Sequence, residues 1–325
     1  MTPVELSRTV LCAVRRAVDA GELSVVVPAR AVVTLPGPGG SGDYATNIAL
    51  QLARQAGRPP LRVAEILRPH ISGAPGVADV AITGPGFLNI RLGGGASAAL
   101  VEDVLRQGPT YGHSDVLAGQ VVELRVPYDT RAEVVADTLV RIVATQGGRA
   151  EVRHAEPVNL RPVPAPEDPA PLGPDAARWA LLHPAPHDRP RITADHLVQR
   201  ESNPLFRVRY AHARTRALRR NAAALGYVGD PGDVRHEGEL LGLLGAFAEY
   251  PHALRVAATQ RTPDRLARHL VDTADAFLAH QHTVLPLGDE KPSAAHRARL
   301  ALAEAAGTVL AGGLSLLGIS APDYL

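Results

Sequence analysis

The stretch Asn203-Pro-Leu-Phe-Arg-Val-Arg-Tyr-Ala-His-Ala-Arg-Thr-Arg-Ala-Leu-Arg-Arg220 carries six arginines and no acid. Its spacing predicts one helix, Leu205–Leu225. At about 100° per residue, Val208, Ala211, Thr215, Leu218, Ala222 and Leu225 share one face, and Arg209, Arg216, Arg219 and Arg220 cluster on another. The first face is built to pack. The second is able to meet phosphate, so an RNA-facing surface is the first functional expectation, and a merely solvated arginine-rich helix is its alternative.

Around that helix the chain is long enough, at 325 residues and 46% hydrophobic content, for two or three units that each bury a core. No uninterrupted apolar run reaches the roughly 18–20 residues that span a bilayer. Glu5, Arg8, Arg15 and Arg16 occupy the place of a signal peptide's apolar centre, so no membrane and a cytoplasmic location are expected. Cys12 is the only cysteine, which excludes an internal disulfide and a multi-cysteine zinc site. Its neighbours Val10, Leu11 and Val14 suggest a buried structural thiol. The formal charge is +1, so the whole molecule does not attract a polyanion, and nucleic-acid binding has to rest on local patches. Lys291 is the only lysine. An arginine bias suits bidentate phosphate contacts, and a GC-rich genome produces the same bias without function.

The N-terminal third alternates helices and strands. Helices are predicted at Pro3–Ala20, at Tyr44–Gln55 with Asp43 as N-cap, at Arg62–His70 and at Ala96–Arg106. Strands are predicted at Leu23–Val27, Val77–Thr83 and Phe87–Leu92, the last two joined by Gly84-Pro85-Gly86. One βαβ element follows: Val121–Pro127, the amphipathic helix Ala132–Thr145, and Ala150–Arg153. It is too small to stand as a Rossmann-type sheet. Pro157–Pro174 is proline-rich and reads as an extended linker. Beyond it the pattern is helical: Asp175–Leu182, Ala194–Arg200, Leu205–Leu225, Gly238–Ala248, Tyr250–Ala258, Pro263–His280 and Ala294–Leu316, the last apolar enough for a central core helix.

These segments resemble arginyl-tRNA synthetases. Gly42-Asp43-Tyr44-Ala45-Thr46-Asn47, followed by Ala49, Leu52 and Ala53, is similar to a segment of that family's N-terminal domain, as is Gly84-Pro85-Gly86-Phe87-Leu88-Asn89-Ile90. Asn203-Pro204 with Tyr210-Ala211-His212-Ala213-Arg214 resembles the family's entry into its anticodon-binding domain. Leu316-Leu317-Gly318-Ile319 and Ala321-Pro322 resemble its terminus. The resemblance implies an α+β fold. It would comprise a small N-terminal α/β domain (1–115), a vestigial βαβ remnant of a Rossmann core (116–156), a proline-rich linker (157–174) and an all-α helical bundle of the DALR anticodon-binding type (175–325).

The middle departs from the family. A class I synthetase core uses a His-x-Gly-His loop to hold ATP phosphates and a Lys-Met-Ser-Lys-type loop at the reacting phosphorus. The sequence has no His-x-Gly-His, and Lys291 lies in Asp-Glu-Lys-Pro near the C-terminal end. Glu123 and Pro127 match the strand that leads into the first loop, and Ala136-Asp137-Thr138-Leu139 matches the helix beyond it, leaving a connection too short for the loop. Between His154 and Leu172 a proline-rich link stands where the family has most of its catalytic domain. The expectation is therefore a non-catalytic paralogue, a pseudoenzyme with a truncated catalytic domain, no catalytic residues and no cofactor. It would bind tRNA, an arginine acceptor, without aminoacylating it, since adenylation depends on electrostatic stabilisation that both loops supply.

The candidate tRNA-binding residues are Phe87, Asn89, Arg209, Arg214, Arg216, Arg219 and Arg220. Phe87 and Asn89 match the motif of a domain associated with D-loop recognition, where stacking and amide hydrogen bonds read a base. The alternative is a sheet-core residue and a turn amide. Asp43, Tyr44 and Asn47 are expected to cap and pack a helix. Arg207 and Arg209 stand where the family has neutral residues. The resemblance implies that Arg209 puts a cation where an arginine substrate's own cation would approach. His183 and His187 show metal-like spacing, but Pro184 and Pro186 break the helix that would align them. His280 and His282 bring no third ligand. Both pairs are expected at the surface, and no metal is expected. Gly37–Gly42 lacks the continuation of a P-loop and reads as a flexible loop. Two further functions stay open: a protein-interaction or regulatory subunit for a synthetase or biosynthetic enzyme, and a tRNA-dependent enzyme completed in trans.

Overall fold

A computed structural model describes residues 3–34, 36–37, 40–93, 95–232, 234 and 240–325. The chain forms two compact units, Met1–Leu100 and Val101–Leu325.

The first unit begins with α1 (Pro3–Asp19), whose residues Leu6, Val10, Ala13, Val14 and Ala17 are fully buried. Cys12 flanks that stripe and is only half-buried, so the expected buried thiol is a partly accessible one. A four-stranded antiparallel sheet follows, in the order β1 (Val33–Thr34), β2 (Tyr44–Thr46), β4 (Phe87–Leu92), β3 (Val77–Thr83). Between β2 and β3 run α2 (Ile48–Ala56) and α3 (Pro60–Ser72). The β3–β4 hairpin has the predicted bounds. Its turn residue Gly86 has φ 136°, and a Cβ there would lie 2.9 Å from the backbone of Pro60, so only glycine fits.

Two expectations fail in this unit. Residues 44–46 are a strand, not the start of a helix, because β4 offers them a ladder: Tyr44 pairs with Ile90 and Thr46 with Leu88. Asp43 therefore caps nothing; its Oδ2 accepts from the Leu92 N–H at 2.7 Å. The predicted strand Leu23–Val27 is extended, with Leu23 buried and Val26 73% exposed, but among the described residues it joins no ladder. Alternation reports one buried side and says nothing of whether a neighbouring strand exists.

Helix α4 (Ala96–Gln107) leads into the second unit. There β5 (Val121–Arg125) and β6 (Arg149–Arg153) pair in parallel around α5 (Thr130–Thr145), which packs on the helices α6 (Gly173–Leu182), α8 (Leu241–Gln260) and α10 (Ala294–Leu317). With α7 (Pro204–Ala224) and α9 (Asp264–His280) these helices form the all-helical remainder of the unit. Ala194–Leu197 is a short 3-10 turn, shorter than the predicted helix.

Helix α10 is long and apolar enough by composition to cross a bilayer, yet 67% of its most apolar window is buried within the unit, as suits a core helix. A Cβ on its Gly307 would lie 2.5 Å from Thr215 Oγ1, so α10 and α7 cross at backbone distance there. The start of the predicted Gly238–Ala248 helix lies outside the described residues. Its remainder and the predicted Tyr250–Ala258 helix are one helix, α8, with Pro251 inside it. Proline lacks the N–H that would bond the carbonyl four residues back. That carbonyl, of Phe247, instead accepts from the Tyr111 hydroxyl at 2.8 Å, and the helix continues.

Candidate functional site

Helix α7 starts at Pro204, whose missing N–H costs nothing at a first turn, and is capped by Asn203, which accepts from the Leu205 N–H at 3.1 Å. The Asn203 amide donates to the carbonyls of His196 and Val198, both at 2.9 Å, tying the incoming chain to the helix start. Val208, Ala211, Thr215, Leu218 and Ala222 are buried as their spacing predicts. Leu225 is not: it is the C-cap residue and 53% exposed, because the helical register ends one residue earlier.

Every arginine of α7 has a partner within the unit. Arg207 lies 3.3 Å from Asp275, and Arg209 lies 3.4 Å from Asp175 and donates to Ser320 Oγ at 3.1 Å. Arg214 donates to Gln281 Oε1 at 2.8 Å, Arg216 to Asp323 at 2.9 Å, and Arg219 stands 3.7 Å from Glu304. Arg220 reaches the Asp323 carbonyl at 3.4 Å and lies over the Tyr324 ring, 4.2 Å from its centroid. The segment 320–324 thus runs along the arginine face. It is fastened at one end by Ser320, whose N–H donates to Asp175 at 3.0 Å and whose hydroxyl bonds the same carboxylate. In the middle His212, four residues after Val208 and so beside the packed face, is buried and bonds the Pro322 carbonyl through Nδ1 at 2.9 Å. Burial lowers the His212 pKa and outweighs the carbonyl contact that raises it.

These pairs differ in how readily they exchange. The Arg216 and Asp323 side chains are 42% and 50% exposed. Pairs of that kind are worth roughly 0–1 kcal/mol and are screened by salt. A phosphate that engages two guanidiniums at once is able to displace them.

Arg131 is the opposite case, and sequence reasoning missed it. It is 1% exposed, at the start of α5 just after Asp129, which caps that helix by accepting from the Ala132 N–H at 2.9 Å. All five of its N–H donors reach backbone carbonyls: Leu181, Val163, Asp188, Pro184 and Ala185, at 2.7–2.9 Å. The proline-rich segment expected as a linker is therefore held at Val163, which also donates its N–H to the Pro186 carbonyl at 2.8 Å. Desolvation lowers the Arg131 pKa, opposed by the charges of Asp129, Asp188 and Asp264. Nearby, Asp137 sits between Arg141 and Arg178. Burial acts to raise its pKa, and the hydrogen bonds from Arg178 and Arg141 outweigh this and lower it.

In the first unit the two remaining candidates part company. Phe87, at the hairpin turn, is 41% exposed. Asn89 is 3% exposed, and its amide donates to Thr83 Oγ1 at 2.6 Å across the β3–β4 pair. Asn47 stands at the N-cap of α2 but makes no capping bond; its side chain accepts from Gln51 Nε2 at 3.0 Å. Tyr44 packs into the core as expected.

The histidine pairs also divide. His187 and His282 are exposed, whereas His280 is half-buried. His183 stacks on the buried Trp179, with ring centroids 5.0 Å apart, so it is not the surface residue expected. Burial, and after it the charges of Arg268, His196 and Arg207, push its pKa down to about 4.

Two family models match the chain. Residues 5–92 match the arginyl tRNA synthetase N terminal domain, and residues 208–325 match the DALR anticodon binding domain. An arginine–tRNA ligase of Renibacterium salmoninarum is 41% identical over 160 residues, which covers 45% of this chain and 29% of the relative. One of Frankia alni is 39% identical over 157 residues, covering 45% and 28%. The aligned part is thus under a third of each curated relative's length. Among solved structures, the Thermus thermophilus arginyl-tRNA synthetase superposes with a TM-score of 0.70 at 14% identity, covering 100% of both chains. The Plasmodium falciparum arginyl-tRNA synthetase superposes with 0.67 at 9% identity, covering 99% of both. At these identities the superpositions establish the fold alone.

Proposed function

We propose, from the premise that both ends of this chain are arginyl-tRNA synthetase-like and that most of the catalytic core is lacking between them, that the protein binds tRNA, an arginine acceptor, without charging it. The observation that carries this is the exchangeable arginine face of α7, which lies almost wholly within the residues that match an anticodon-binding domain. Arg209, Arg214, Arg216, Arg219 and Arg220 then neutralise phosphates, each one steepening the salt dependence. Phe87 offers a ring for a base to stack on, and Asn89 acts by holding the hairpin that presents it.

The middle of the chain supports the non-charging half of the proposal. Residues 126–129 alone connect β5 to α5, with Asp129 spent as a cap, and no His-x-Gly-His occurs in the sequence. Arg209, 3.4 Å from Asp175, occupies that acid and so opposes an incoming arginine side chain. A cytoplasmic location belongs to the same proposal. The experiment is to purify the protein from its own cells and sequence the RNA that comes with it. Enrichment of arginine acceptor tRNAs supports the proposal, and ATP–pyrophosphate exchange with arginine contradicts the non-catalytic part.

One observation favours a second reading, a protein-interaction subunit: all six arginines of α7 already have a charged or polar neighbour within the unit. A co-purified protein partner with no RNA would select it.

A further inference from the structure

The flank of α7 that carries Arg216 and Arg219 opens onto a cleft of about 700 Å3, bounded by the last turns of α10 and by the 3-10 turn Gly108–Thr110. That size lies within the roughly 300–1,000 Å3 typical of small-molecule sites. Leu105, Pro109, Ala311 and Leu316 give it apolar walls, and His113, Thr145 and Ser315 add hydrogen-bonding groups. Its rim carries Arg216 and Arg219, one helical turn apart, with Glu304 opposite.

The charges are arranged for an anion. Arg219 stands 3.7 Å from Glu304, too far for a good hydrogen bond, and its side chain is 63% exposed. Glu304 is itself destabilised as an anion: burial raises its pKa, opposed by Arg219. Burial lowers the pKa of His113, so that ring enters as a neutral hydrogen-bonding group. His212, which also lines the cleft, bonds a carbonyl through Nδ1, which puts its proton there and leaves Nε2 as an acceptor. Two guanidiniums at an opening with apolar walls and neutral hydrogen-bonding groups match a ligand with one phosphate and one flat body.

We propose that this cleft binds a nucleoside monophosphate, with the base between the apolar walls and the phosphate on Arg216 and Arg219 in place of Asp323 and Glu304. The same chemistry comes from a free nucleotide or from one nucleotide of an RNA strand. The inference shares Arg216 and Arg219 with the tRNA proposal and goes beyond it in the walls, which belong to α4, α10 and the turn at Gly108.

Calorimetric titration of the full chain with AMP, adenosine and inorganic phosphate tests it. AMP is expected to saturate one site more tightly than either fragment. Arg219→Ala is expected to weaken it about tenfold through loss of a charge-assisted contact, and Glu304→Gln to tighten it roughly threefold by freeing Arg219. Ala311→Leu, at a half-buried wall position, narrows the cleft against the base and is expected to weaken AMP binding about tenfold or more while the thermal midpoint holds. If that variant fails to fold, Arg219→Ala, on an exposed side chain, still decides the matter. Displacement of AMP by a short single-stranded RNA identifies an RNA-borne nucleotide as the occupant, and its failure to displace identifies a free one. AMP bound no better than phosphate, or unchanged by Arg219→Ala, overturns the proposal. A tRNA shift that survives Ala311→Leu while AMP never binds refutes the cleft and leaves the tRNA proposal standing; AMP binding with no tRNA shift does the reverse.

Discussion

Arg131 and the arginines of α7 are the same residue type put to opposite use. Arg131 is buried and spends all five donors on backbone carbonyls. The α7 arginines lean on side-chain acids, an amide and a tail segment, and Arg216 and Arg219 do so exposed to water. A backbone carbonyl cannot be swapped for a ligand without unfolding something, whereas a solvated carboxylate is easily exchanged for a phosphate. The partner, not the density of arginine, separates a fixed arginine from an exchangeable one here.

The largest test of that contrast is Arg131→Met. It leaves five carbonyls without their donor in a dry site, and loss of one side of a buried charged network costs about 3–5 kcal/mol. Arg131→Lys should rescue little, since one ammonium cannot reproduce a five-donor fork. Chemical denaturation at neutral pH checks both, and an unchanged midpoint would remove Arg131 from the account.

The double variant Arg216→Ala with Arg219→Ala sits on the other side. It should weaken tRNA binding about tenfold or more at low salt and reduce the salt slope by about two phosphates, while stability changes by no more than ~1 kcal/mol. If it unfolds the protein, the α7 arginines are structural after all.

Tyr111→Phe probes a smaller contact of the fixed kind. It removes the donor that replaces the missing Pro251 N–H and should cost ~1 kcal/mol. Hydrogen exchange should quicken in α8 around Phe247 and Pro251 and not elsewhere.

A pH titration probes burial and not a single contact. Burial holds His183 and His269 at about 4 when folded, against an ordinary 6.5. Between those values the unfolded chain binds more protons, so stability is level above about 6.5 and falls as pH drops toward 4. A thermal midpoint that is flat across that window would contradict the burial of both rings.

Much of this was legible in the amino-acid order wherever the deciding contact is local. The Gly84-Pro85-Gly86 turn between two alternating runs marks β3 and β4 to the residue, and the apolar run of α10 marks a core helix. The arginine row of α7 follows from helical spacing alone. What escaped depends on distant partners. Tyr44–Thr46 pairs as a strand with β4, distant in sequence, and where α8 passes through Pro251 the freed Phe247 carbonyl is taken up by Tyr111, far earlier in the chain. Arg131 looked like any helix-start arginine until Leu181, Pro184 and Ala185 closed around it. The acids that occupy the α7 face come from α6, α9, α10 and the tail, and no spacing rule connects them to it.

The measurement that bears most directly on the account is equilibrium binding of purified arginine acceptor tRNA across salt from about 50 to 200 mM. A complex is expected at low salt whose affinity falls steeply and linearly in log–log form, with a flatter line for the Arg216→Ala, Arg219→Ala variant. No complex at the lowest salt, or a slope the variant leaves unchanged, would contradict it.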